Sequence, residues 1–444
     1  MQVFGSIGSG KTSGSGATLA LAYLAAGMGG LVCCAKPEER RLWERYAALT
    51  GRSDDLVIIS PGTRDAPAPW RFNFLDYELQ RAGGVLVENV VNLLSDVVEL
   101  VEGKRGQDSE GGFWQRGSNE LLRNAVTAVA LAGVPLTLDH LCRLVLEAPT
   151  DPAQPYDVKW RQDSFTFRCL ELADARAVTP RERNDCRRAE DYWLKSFPAT
   201  PDRTRGGIVA TFRGVADILL HGISWELLAT DTNIVPEVTY THQRVIILDL
   251  SIQEYRETGR VVQAIWKHMF QQALLRRDPD IHPQPVFLWA DESQQFISPF
   301  DWEFLSTARN ARVCTVYLTQ SLSNYHARLG EQSKAQADAL LGLFQTKVFH
   351  ANADVVTNQY AADQLGKHWT RRNNEGIGSG QGGPNMHVGN AESLEYKIEP
   401  AAFPTLRKGG PSNQYQVDAV IFQGGRVWPE TEDTYLPVTF TQLR

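Results

Sequence analysis

An α/β fold, with a mostly parallel sheet, helices on both faces and an inserted all-α domain, follows from three observations. Short apolar runs alternate with helical patterns in the first and last parts of the chain. The first run leads directly into a glycine-rich turn that opens a helix. Between residues 85 and 199 apolar residues recur at helical spacing, and strand signals are scarce.

Taken in order, Gln2-Val3-Phe4 reads as the first strand, and Gly5-Ser6-Ile7-Gly8-Ser9-Gly10-Lys11-Thr12 follows as a complete phosphate-binding loop. Gly5, Gly8 and Gly10, with Ser9 between them, let the backbone wrap a polyphosphate with its N–H groups pointing inward. Lys11 brings a point charge to the β- and γ-phosphates, and the Thr12 hydroxyl suits Mg²⁺. The helix from about Ser13 aims its positive end at the same anion. The motif therefore predicts a nucleoside triphosphate, ATP with Mg²⁺, as cofactor. A loop that begins at residue 5 leaves at most four residues for the preceding strand. That shortness leads us to expect either a start inside a larger protein or an absent upstream module.

Residues 12–35 carry no charge, but Gly27-Met28-Gly29-Gly30 divides them into a helix and a buried strand at 31–35 instead of a membrane span. No signal-peptide pattern is visible. Pro37-Glu38-Glu39 then starts a helix, acidic early and basic later, and residues 56–60 form a strand closed by Pro61-Gly62. This first α/β part spans 1–84. The all-helical part spans 85–199, with Val87, Val90, Val91 and Leu94 on one face, Leu121, Leu122, Ala125 and Val129 on another, and Thr137 as a cap. Four to seven helices are expected there. The α/β pattern returns over 200–444, with strands at 245–250, 286–290, 313–318 and 347–350, a long amphipathic helix at 260–277, and a flexible Gly-rich loop at 373–391.

A chain of 444 residues is long enough for two or three domains, and its net charge of −7 excludes a global basic field. Any nucleic acid must then meet local positive charge. Six cysteines without CxxC spacing argue against zinc and for reduced thiols in a cytosolic protein.

The strand at 286–290 ends in Asp291 and Glu292, and in open parallel sheets ligands gather at the carboxyl ends of strands. Asp291 is the expected Mg²⁺ partner of Thr12. Glu292 is the expected base that orients and deprotonates the attacking water. Gln320 closes the next strand and is placed to sense the γ-phosphate. Arg309 and Arg312 precede that strand; each is either a finger for a neighbouring subunit's γ-phosphate or a solvated helix-end arginine.

The order of phosphate loop, helical insert, Asp-Glu strand, arginine and Thr-Gln strand resembles the conjugative ATPases of the FtsK/HerA superfamily. It is most similar to the type IV coupling proteins. The phrases that carry the likeness are Ala35-Lys36-Pro37-Glu38-Glu39, Phe72-Asn73-Phe74-Leu75-Asp76, Asp249-Leu250-Ser251-Ile252-Gln253-Glu254-Tyr255, the Asp291-Glu292 strand and Leu318-Thr319-Gln320-Ser321. The resemblance implies a RecA-like P-loop NTPase and a homo-hexameric ring around DNA, capped by the helical domain. Lys11 and Thr12 would hold phosphate and Mg²⁺, Asp291 and Glu292 would be the acid pair, Gln320 the sensor, and Arg309 a better finger than Arg312. The implied partners are DNA, expected single-stranded, a relaxase or other secretion substrate, and channel proteins at the inner membrane. Coupling proteins carry membrane helices ahead of the loop, whereas here the reading expects a cytoplasmic chain that docks at that membrane. Alternatives are a soluble HerA-like DNA translocase, a pilus-assembly ATPase of the same secretion systems, and a nucleotide-binding scaffold without turnover. Two regions are candidates for DNA contact: the arginines at 181, 183, 187 and 188 with 203, 205 and 213, and the Gly-rich loop with Arg371 and Arg372.

Overall fold

In the computed structural model, which describes residues 1–81, 87–102, 109–329, 334–380 and 383–442, the chain forms two compact units. The first comprises Met1–Leu56, Thr239–Ile246 and Leu274–Arg444; the second comprises Val57–Val238 and Ile247–Ala273.

The strands are β1 (Gln2–Phe4), β2 (Gly29–Cys33), β3 (Leu56–Ile59), β4 (Val245–Leu248), β5 (Val286–Ala290), β6 (Val313–Thr319), β7 (Thr346–His350), β8 (Lys367–Gly380), β9 (Gly383–Tyr396), β10 (Gln416–Gln423) and β11 (Tyr435–Thr441). Nine of them form a sheet in the order β11-β10-β7-β1-β6-β5-β2-β4-β3. The pairs β1–β6, β1–β7, β5–β6 and β2–β5 are parallel, while β10 runs antiparallel to β7 and to β11. The expected mostly parallel sheet is therefore present, with an antiparallel edge added.

Although only three residues long, β1 lies between β6 and β7 and buries Val3 and Phe4 completely. The Phe4 ring stacks on Phe349 with centroids 5.6 Å apart. Its register sets Phe4 beside Thr319 and Phe349, so the chain leaves the sheet at the carboxyl ends of both neighbours. A helix at Ala17–Ala25 (α1) and one at Glu38–Leu49 (α2) follow β1 and β2. Every residue of β5 is buried, and the Trp43 ring of α2 lies 5.4 Å from both Phe287 and Trp289. Burying a ring such as Phe287 contributes about 3 kcal/mol. On β2, a Cβ at Gly30 would sit 2.5 Å from the Phe287 carbonyl oxygen, so glycine is needed for the two strands to meet.

The second unit is largely helical. Its long helices include Val87–Glu102, Ser109–Leu131, Phe165–Arg176, Pro180–Asp191 and Asp202–Leu220. The Thr137 side chain accepts the His140 N–H as the expected cap of Leu138–Leu146. Helices run on past residue 199 through Gly222–Leu228, a stretch read above as part of the returning α/β pattern. Glycines in Asp202–Leu220 weaken its apolar periodicity, yet its Ile208 packs into the space that Gly117 leaves open, 2.8 Å from where a Cβ would stand. Phe72 packs on Trp266 with ring centroids 4.6 Å apart.

The expected flexible loop at 373–391 is corrected. These residues belong to β8 and β9, which pair antiparallel from Lys367–Tyr396 to Gly380–Gly383, with residues 381–382 outside the described set. Strand pairing uses backbone N–H and C=O groups, so a glycine-rich composition does not prevent it. Among the described residues no helix is long and apolar enough to cross a membrane.

Candidate nucleotide-binding site

The phosphate loop is tied to the strands on either side of β1. Gly5 N–H donates to the Thr319 carbonyl (3.2 Å), and Ser6 donates to the Ala351 carbonyl through both its N–H and its hydroxyl (3.0 Å each). Gly8 and Gly10 have φ of 72° and 85°, the left-handed region that favours glycine. The Ser9 hydroxyl is buried and has no hydrogen-bond partner among the described residues. Residues Thr12–Gly16 make a π-helical turn before α1, closed by Gly14 N–H to the Gly10 carbonyl (2.6 Å) and Gly16 N–H to the Lys11 carbonyl (2.8 Å).

His350 supports this turn from below. Its Nε2 is 2.7 Å from the Ser15 hydroxyl and its Nδ1 is 3.2 Å from the Asp418 carbonyl. A carbonyl only accepts, so Nδ1 carries the proton and Nε2 accepts from Ser15. Burial lowers the imidazole pKa from 6.5 to about 4. The folded pKa is below the unfolded one, so the stabilisation is complete above pH 6.5 and is lost as pH falls towards 4. At about 1.4 kcal/mol per unit, this removes about 3 kcal/mol across the window. Thermal melts of the wild type and His350→Gln between pH 4 and 7 should diverge, the wild type falling more steeply. Parallel curves would refute the assignment.

The acid pair stands where β5 ends. Thr12 Oγ1 donates to Asp291 Oδ2 at 2.7 Å, and Glu292 N–H donates to Asp291 Oδ1 at 2.8 Å. Glu292 is left-handed (φ 49°, ψ 44°), which costs a non-glycine residue about 1–2 kcal/mol. Its carboxylate is surrounded by donors. Oε1 receives Gln320 Nε2 (3.0 Å) and Lys36 Nζ (3.2 Å), with Lys11 Nζ at 3.9 Å. Oε2 receives Gln294 Nε2 (3.0 Å), and Gln294 Oε1 in turn accepts the Thr319 hydroxyl (2.8 Å). Burial alone would raise the Glu292 pKa, but the two glutamine hydrogen bonds and the two lysine charges together hold it below the usual value. Nearby Glu39 is buried, and burial and the Asp291 charge raise its carboxyl well above that range.

The structure thus brings Gly5, Gly8, Ser9, Gly10, Lys11, Thr12, Asp291, Glu292 and Gln320 into one place. These groups fit a Mg²⁺-bound triphosphate. The loop carries an orphaned hydroxyl and a lysine for the anion, and Thr12 and Asp291 offer adjacent hard oxygens of the kind Mg²⁺ prefers. Arg309 and Arg312 are not part of this group. They lie exposed before the amino end of β6, and at about 3.3 Å per residue the strand carries Gln320 about 20 Å away.

Two neighbours of Glu292, Lys36 and Gln294, were not read as site residues from the sequence. Pairing of Cys33 with Ala290 sets β2 beside β5, so the chain beyond β2 runs on past Glu292. Strand order is the missing information, and one sequence does not disclose it.

Neither candidate basic region has a clear charge excess. The helix Pro180–Asp191 sets Arg181, Arg183, Arg187 and Arg188 against Glu182, Asp185, Glu190 and Asp191, which sum to zero. Arg205 is buried and paired with Asp202, while Arg203 and Arg213 are exposed. Arg371 pairs with Glu392 at 2.9 Å, and the Arg372 side chain lies outside the described residues.

Residues 285–399 match the family TraG-D_C, described as the TraM recognition site of TraD and TraG. No curated protein sequence matches the chain. Among solved structures, the unbound monoclinic form of the bacterial conjugative coupling protein TrwBdeltaN70 is similar with a TM-score of 0.60 at 17% identity, covering 100% of this chain and 84% of that one. TrwB in complex with the ATP analogue ADPNP gives 0.61 at 16% identity, covering 100% and 85%. TrwB in complex with ADP and Mg²⁺ gives 0.59 at 16%, again covering 100% and 85%. At these identities the likeness is one of fold: a RecA-like P-loop sheet accompanied by an all-α domain.

Proposed function

We propose that this chain is a P-loop protein of the type IV coupling-protein family and acts as an ATP-hydrolysing ring motor. Its cargo would be DNA, expected single-stranded, or a DNA-bound relaxase, delivered to a secretion channel at the inner membrane. The observation that carries the reading is the convergence of Lys11, Thr12, Asp291, Glu292 and Gln320 on a coupling-protein fold.

Bound Mg²⁺-ATP supplies the electrophilic γ-phosphorus. The loop N–H groups and Lys11 would bind the phosphates, while Thr12 and Asp291 would hold the metal ion. Glu292 would orient a water and take its proton as the new P–O bond forms and the bond from the γ-phosphorus to the β–γ bridging oxygen breaks, with ADP as the leaving group. Gln320 shares a hydrogen bond with Glu292, so a change at that carboxylate reaches the end of β6 directly. Arg309 is too far from its own subunit's loop to serve it and is proposed to serve a neighbour in a homo-hexamer.

Activity per subunit should rise with protein concentration, or with DNA that templates a ring. Mixing Arg309→Ala with Glu292→Gln subunits should restore hydrolysis at interfaces that pair an intact base with an intact finger. A mixture no more active than the sum of its parts removes the finger from the mechanism. ATPase stimulation by single- and double-stranded DNA tests the cargo, and DNA affinity should fall steeply with salt. An assembled protein that neither binds nor responds to either DNA would overturn the DNA-motor reading and favour a protein-handling ATPase. The TraG and TraD family match over 285–399 supports the coupling role over the pilus-assembly one.

A further inference from the structure

Glu292 has two ion-pair partners among the described residues, and the one at 3.2 Å is not the phosphate-loop lysine. Lys36 is held in place by its backbone. It lies between the end of β2 and Pro37, the first residue ahead of α2, and Ala35 N–H donates to the buried Glu39 carboxylate at 2.9 Å. The turn that carries Lys36 is thereby fastened to the helix that follows it. On the far side of the carboxylate, Gln294 holds Oε2 and is itself held by Thr319.

The two lysines cannot both remain with Glu292 during catalysis. Lys11 belongs to the phosphate loop, and a bound polyphosphate competes for its ammonium. Lys36 comes from the turn after β2 and is the cation left beside Oε1. We infer that Lys36 is a positioning residue for hydrolysis, clamping the Glu292 carboxylate against Gln294 so that it stays aimed when Lys11 turns to the phosphates. The inference rests on the ATPase reading of the same site. It separates the two lysines near Glu292, giving one to substrate binding and the other to the geometry of the base.

The test compares Lys36→Met and Lys36→Arg with the wild type, for affinity to ADP, affinity to ADP with aluminium fluoride, and single-turnover hydrolysis. Lys36→Met should hold ADP within about twofold of wild type, because a positioning defect leaves ground-state binding alone. Its affinity for ADP–aluminium fluoride and its hydrolysis rate should both fall by roughly 10- to 100-fold, the scale of a misplaced catalytic group. Lys36→Arg should recover most of that loss. In a Glu292→Gln background Lys36→Met should cause no further drop in aluminium fluoride affinity, since the residue it positions has gone. Equal losses for ADP and ADP–aluminium fluoride would make Lys36 a general contributor to binding or folding and overturn the inference, as would a Lys36→Met indistinguishable from wild type. A wild-type protein that neither hydrolyses ATP nor prefers ADP–aluminium fluoride to ADP would instead sink the ATPase reading, and this inference with it.

Discussion

Replacing Glu292 with Gln should leave nucleotide binding intact or tighter and lower turnover by roughly 10²- to 10⁴-fold, the contribution of a positioned general base. The reason lies in what surrounds the carboxylate. Gln320, Gln294, Lys36 and Lys11 all present N–H donors to it. An amide cannot accept at both ends, so one of its ends must meet a donor. Neither lysine can accept a hydrogen bond, and the new NH₂ group is therefore driven towards Gln294. Gln294 satisfies it by flipping its own amide, at the expense of the hydrogen bond from Thr319. The side chain can thus be accommodated, and the protein should fold. Loss of the negative charge leaves two ammonium groups without their counter-ion beside the phosphate loop, which favours a polyanion. Of the steps proposed for hydrolysis, the one the amide cannot perform is proton acceptance from water. Isothermal titration with an ATP analogue, alongside steady-state hydrolysis, separates these effects. Equal hydrolysis rates for Glu292→Gln and wild type would remove Glu292 as the base.

The parts of this architecture that could be read in advance share a property: each is local in sequence. The phosphate loop is one octapeptide, and the acid pair marks its own strand end. The helical periodicity around Val90 and Leu121 needs only a window of a few turns. What could not be read depends on neighbours distant in sequence. Lys36 meets Glu292 because β2 lies beside β5. His350 supports Ser15 because β7 lies beside β1, and Val417 reaches Gly10 because β10 adds antiparallel to β7. The Gly-rich stretch misled for a related reason: composition reports the absence of side-chain constraints, whereas the pairing of β8 with β9 is a backbone property.

Gly10→Ala should cost much more than Gly8→Ala, the substitution at the other left-handed glycine of the phosphate loop. Two independent penalties fall on this residue. Its φ of 85° is unfavourable for any residue with a Cβ, at about 1–2 kcal/mol. The added Cβ would also lie 2.5 Å from Val417 Cγ2 and 2.8 Å from Val417 Cγ1, and overpacking of this kind costs about 1–3 kcal/mol. Val417 is fully buried on β10 and β-branched, so it has little rotamer freedom with which to retreat. Gly8 provides the internal control, because its φ is 72° yet no described residue lies within 4 Å of where its Cβ would stand. Gly8→Ala should therefore show only the conformational penalty, a loss of about tenfold in nucleotide affinity. Gly10→Ala should lose about 10²- to 10³-fold, because the loop can relieve the clash only by moving the N–H groups aimed at the phosphates. The double variant Gly10→Ala with Val417→Ala removes the contact but keeps the strained φ, and its affinity should return to the level of Gly8→Ala. A double variant no better than Gly10→Ala alone would show that β10 does not shape the loop, and the two-penalty account would fall.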